Sequence, residues 1–215
     1  QLVMTATPIP RTLAMSAYGD LDHSVIDELP PGRKPINSVL LNNVRRANVI
    51  ERVHQACANG QQAYWICPLI ETSEVLQCEA AEDTALLLGQ QLQGVNVGLV
   101  HGRLAAADKA QVMAQFKVGE IQLLVATTVI EVGVDVPNAN LMVIDNAERL
   151  GLAQLHQLRG RVGRGQAQSH CLFMYQAPLS RMGRERLDIL RQSNDGFVIA
   201  EKDLQLRGPG EVLGT

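Results

Sequence analysis

The stretch VNVGLVHGRLAAADKAQVMAQFKVGEIQLLVA, residues 95–126, decides the fold. Two short apolar runs, 95–100 and 121–126, have the length and β-branched content of strands. Between them, residues 105–117 place Val112, Met113 and Phe116 at helical spacing, which predicts a helix with those three turned inward. A strand, a helix and a second strand in immediate succession form a crossover unit, which makes the two strands parallel.

The same alternation extends in both directions. Strands are expected at 38–41, 63–69, 141–144 and 170–175, with helices at 83–92 and at 45–58, the latter with Val49, Val53 and Ala56 along one stripe. The predicted fold class is therefore α/β, a parallel sheet with helices on both faces. In such sheets ligands gather beyond the carboxyl ends of the strands. Two segments stand there. After 95–100 come His101, Gly102 and Arg103, and after 121–126 comes the run from Thr127 to Asp135. Thr127 and Thr128 offer hydroxyls and, where a helix starts, free backbone N–H groups for a phosphate. An ordinary helix cap explains them equally simply, and His101 reads as well as a plain loop histidine. Asp135, just past Gly133, carries a carboxylate able to accept from a ribose hydroxyl.

A third candidate is Gln157-Leu158-Arg159-Gly160-Arg161-Val162-Gly163-Arg164. Guanidinium groups present planar forks of donors that match phosphate oxygens. If the stretch were helical, Arg161 and Arg164 would share a face, while Gly160 and Gly163 would let a ligand or a backbone approach.

Bulk properties set limits. With 215 residues, 46% of them hydrophobic, the chain can bury a substantial core. A net charge of -3 excludes a uniformly basic nucleic-acid binder and leaves room for a local basic groove. Arginine supplies 15 of the 19 basic residues, a bias that suits phosphate recognition. Cys57, Cys67, Cys78 and Cys171 form no CxxC pair, and the five histidines are dispersed, so no metal site is expected and a reducing cytoplasm is. No apolar run approaches the roughly 20 residues of a membrane span. The 3% aromatic content argues against extensive base stacking, and nothing argues for oligomerisation, so a monomer is expected.

Residues 1–18 read as a strand end and a proline-bounded turn around Thr5 and Thr7. Because Gln1 is not Met and Leu2-Val3-Met4 resembles the end of a buried strand, a piece of a longer polypeptide is expected. Residues 19–37 are rich in turn formers and read as a linker, 38–178 as one α/β domain, and 179–215 as a helical hairpin and loop. The hairpin's helices are expected at 179–193 and 197–206.

These residues resemble the superfamily 2 helicases and translocases, and in particular the bacterial branched-DNA helicases. Thr5-Ala6-Thr7 is similar to motif III, residues 125–137 to motif V, and residues 157–164 to motif VI. The segments PIPRT (8–12), DLDHSVIDELPPGRKP (20–35), NDGFVIAEKDL (194–204) and RGPGE (207–211) extend the resemblance over essentially the whole chain. The transcription-repair coupling factor shares motifs III, V and VI and the hairpin. The PPGRKP linker and the NDGF segment favour the branched-DNA helicases.

The resemblance implies a RecA-like second motor domain acting with ATP and Mg²⁺ on branched or duplex DNA. It implies catalytic roles for Arg161 and Arg164 at the γ-phosphate, with Gln157, Gly133 and Asp135 also at the nucleotide. Gly102, Arg103, Thr127 and Thr128 would lie along DNA. Thr5, Thr7, Arg159, Arg207 and Glu211 would couple the cleft to DNA movement, the last two within the TRG hairpin element. The sequence contains neither GxxxxGK[ST] nor a DExH or DExD pair. The family carries both in a first motor domain, so the N-terminal part of the same polypeptide is an expected partner, and the chain alone is expected to be inactive. Two alternatives are a transcription-repair coupling translocase and a non-catalytic RecA-like nucleic-acid-binding module.

Overall fold

The computed structural model describes residues 33–68, 74–127 and 136–207. Six strands, β1 (Asn37–Asn42), β2 (Gln62–Cys67), β3 (Val97–Val100), β4 (Leu123–Thr127), β5 (Ala139–Ile144) and β6 (His170–Tyr175), form one sheet in the order β1-β6-β5-β2-β4-β3. Every neighbouring pair is parallel. The six described helices are α1 (Arg46–Ala58), α2 (Glu74–Gln91), α3 (Ala106–Val118), α4 (Leu152–Arg159), α5 (Arg181–Gln192) and α6 (Gly196–Arg207).

Alternating side chains of the central strands feed two cores, one on each face. Ala63, Trp65, Leu123, Val125 and Val143 pack with Val49 and Val53 of α1 and with Ala81 and Leu88 of α2. Tyr64, Ile66, Leu124, Ala126 and Phe173 pack with Phe116 of α3, Leu155 of α4, Leu187 of α5 and Ile199 of α6. The crossover unit of residues 95–126 thus forms as expected. Of its inward residues Phe116 is fully buried, and Val112 and Met113 pack against the same core from partly exposed positions.

Two elements depart from expectation. Helix α2 begins at Glu74 rather than 83, because its early inward positions are the small Cys78 and Ala81, which carry little apolar signal. Helix α4 covers residues assigned to no element, although Leu152, Leu155 and Leu158 recur at helical spacing and are buried. Among the described residues no helix is long and apolar enough to cross a membrane. The expectations for residues 1–18 and for the loop from 208 to 215 lie outside the described residues.

Candidate functional site

The candidate residues divide between the two ends of the sheet. At the carboxyl end, β3 runs into His101-Gly102-Arg103, and Lys109 of α3 donates to the Gly102 carbonyl at 2.9 Å, fixing the turn. Arg103 is exposed. His101 is buried, with Nε2 3.2 Å from Glu82 Oε1, while its Nδ1 has no partner among the described residues. Thr127 closes β4 and is only 2% exposed. It is therefore a strand residue and not the open helix cap that was expected. Thr128, Gly133 and Asp135 lie outside the described residues.

The arginine stretch lies at the other end. Helix α4 stops at Arg159, Gly160 caps it, and residues 160–169 form a loop that enters β6 at its amino end. Arg161 and Arg164 consequently do not share a helix face, which corrects the expectation above. The cause is local: Gly163 has φ +78°, a left-handed conformation that breaks the helix and suits glycine. A Cβ on Gly165 would meet the Pro137 carbonyl oxygen at 2.4 Å, so this glycine lets the loop lie against the start of β5. Arg164 is exposed and Arg161 half-buried. The rule that ligands gather at carboxyl ends pointed away from this loop. Residues 128–135 connect the carboxyl end of β4 to the amino end of β5, and thus join the two ends of the sheet along the chain.

Arg159 is 2% exposed and ties the loop's helix to the hairpin. Its Nη1 donates to the carbonyls of Leu190 and Ser193, both at 2.8 Å, where α5 ends. Nη1 also reaches Ser38 Oγ at 3.4 Å, and Nη2 lies 3.0 Å from His156 Nδ1. Burial pulls this guanidinium below its ordinary pKa. Beside it, burial pushes the Cys171 thiol up to about 12, so it stays protonated at neutral pH.

Gln157 is exposed on α4, and Arg207 is the last residue of α6. Thr5, Thr7 and Glu211 lie outside the described residues. No group of three or more His, Cys, Asp or Glu residues able to hold a metal occurs among the described residues. The arrangement offers an anion two guanidinium groups on a glycine-shaped loop, but no complete phosphate cradle.

Reasoning from the sequence missed Arg33. Its Nε donates to the Gly163 carbonyl at 3.0 Å across 130 residues of chain, and its place in a turn-rich run hid that contact.

A family model described as helicase conserved C-terminal domain matches residues 46–166. The chain is 66% identical over 216 residues to the ATP-dependent DNA helicase RecG of Escherichia coli (strain K12), covering 100% of this chain and 31% of that protein. It is 63% identical to the RecG of Pasteurella multocida (strain Pm70), with the same coverage. A solved structure of RecG bound to a three-way DNA junction superposes with a TM-score of 0.82 at 48% identity, covering 98% of this chain and 27% of that one. The chain thus spans about a third of the length of the curated relatives it matches.

Proposed function

Because the chain belongs to the helicase conserved C-terminal domain family, we propose that it is the second motor domain of an ATP-dependent double-stranded DNA translocase that remodels branched DNA. The observation that carries this reading is the 66% identity to RecG over the entire chain, hairpin included. The arginine loop supports it physically. Arg161 and Arg164 stand on a loop held to the sheet's amino end, as one wall of a cleft would require, and a second domain supplies the rest of the phosphate contacts.

In this reading ATP, with Mg²⁺ held by the partner domain, supplies a phosphoryl group whose hydrolysis is favourable. Arg161 and Arg164 donate to its terminal oxygens and stabilise charge that develops as the bond to the leaving group breaks. Gln157 and the 133–135 segment complete the nucleotide side. Gly102, Arg103 and the 127–128 segment face the sugar-phosphate backbone, so binding follows DNA structure and not base sequence. Arg159 transmits cleft closure to the hairpin and on to Arg207 and Glu211.

The test is the DNA-stimulated ATPase of the full-length protein carrying Arg161→Ala. The expected result is a loss of roughly 10³-fold or more in kcat, in line with arginine fingers elsewhere, with junction binding retained. Wild-type turnover in that variant would remove the catalytic role.

A further inference from the structure

The run GRKPIN (32–37) reads as the end of a flexible connector, yet its described residues are fastened to the arginine loop at successive points. Arg33 Nε donates to the Gly163 carbonyl at 3.0 Å. Gln168 Nε2 donates to the Pro35 carbonyl at 2.8 Å. Ile36 is 9% exposed, and its Cγ1 would lie 3.0 Å from a Cβ at Gly163, so the side chain fills the space that this glycine leaves. Asn37 N–H donates to the Ser169 carbonyl at 2.9 Å, and from there β1 and β6 pair in register. The anchors on the loop, Gly163, Gln168 and Ser169, flank Arg164 on both sides.

We infer that residues 33–37 form a strap that sets the conformation of the arginine loop, and that Arg33 is a positioning residue for the ATPase step. The inference rests on the proposed role of Arg161 and Arg164. Its physical basis is the state of Gly163. A residue at φ +78° with a single backbone carbonyl facing a charged donor has a defined orientation only while that donor is present. Losing it frees the peptide between the two arginines to rotate, and both guanidinium groups lose their fixed direction. Arg33 touches no reacting atom, so its effect passes entirely through the loop.

The test uses the full-length protein and compares Arg33→Ala, Arg161→Ala and the double variant by DNA-stimulated ATPase. Loss of one hydrogen bond from a charged donor predicts a roughly tenfold lower kcat in Arg33→Ala. KM for ATP is expected to stay within about twofold, because the arginines act on the transition state. In the Arg161→Ala background, Arg33→Ala is expected to add less than about twofold, since the two share one pathway. Losses that multiply, or a normal kcat in Arg33→Ala beside an inactive Arg161→Ala, overturn the strap alone. A normal kcat in Arg161→Ala overturns the reading of the arginine loop and the strap with it. Amide hydrogen exchange separates positioning from a folding defect. Faster exchange confined to residues 160–169 supports the strap, and faster exchange throughout β4 and β5 overturns it.

Discussion

Two donors converge on the carboxylate of Asp145, just past the carboxyl end of β5. Arg46 Nη1 lies 2.7 and 2.8 Å from its two oxygens, and the indole N–H of Trp65 donates to Oδ2 at 2.8 Å. The Arg46 guanidinium also sits over the Trp65 ring, 5.0 Å from the centroid. Three strands' worth of chain is thereby pinned behind the carboxyl end of the sheet. Replacing Asp145 with Ala strands a fully buried indole donor and an arginine. Because the Arg46 side chain is 30% exposed it can regain water, which moderates the loss. The expected destabilisation is about 2–3 kcal/mol, read from urea unfolding followed by emission of Trp65, the single tryptophan. A midpoint within error of wild type would mean that this triad contributes nothing to stability. None of it was legible in the sequence, because Arg46 and Asp145 stand 99 residues apart and neither belongs to a motif.

At the scale of elements, the legible parts were those with a strong period. The strand at 170–175 appears with those bounds, and the hairpin helices lie within two residues of expectation. The start of α2 was not legible, since Cys78 and Ala81 do not mark an apolar stripe. The arginine stretch misled for a different reason. Its spacing of three is real, but a left-handed glycine between Arg161 and Arg164 removes the helix that would give that spacing meaning. Arg159 shows what the motif does mechanically in this fold. It supplies the donor for two carbonyls at the end of α5, where a helix leaves its last acceptors unsatisfied. Arg159→Met keeps length and bulk but removes the donors. About 2–3 kcal/mol of stability should disappear, and amide exchange should rise first across the α5–α6 hairpin. A uniform rise over the whole sheet would instead make Arg159 a general core residue. The hairpin's other tie, Lys202 to Glu185 at 3.2 Å, joins exposed to half-buried groups and would not hold it alone.

Over the whole molecule the two ends of the sheet are chemically different. The carboxyl end offers the 101–103 turn and the end of β4, and the amino end offers the arginine loop with its strap. The 128–135 connection and Arg159 with the hairpin are the routes by which one end can be linked to the other. From the sequence, the parallel architecture was legible because alternation is a whole-chain signal. The placement of the arginines was not, because it depends on which end of β6 the loop enters. That geometry makes a prediction for the chain by itself. Phosphate capture at a nucleoside triphosphate needs a glycine-rich loop with its lysine, and GxxxxGK[ST] occurs nowhere in these 215 residues. Two guanidinium groups without that cradle can attract an anion but cannot orient it for in-line attack. The purified 215-residue chain is therefore expected to hydrolyse ATP at the buffer rate, with or without junction DNA and magnesium. Turnover above that rate, abolished by Arg161→Ala, would show that the amino end of this sheet is a complete catalytic site and not one wall of a shared one.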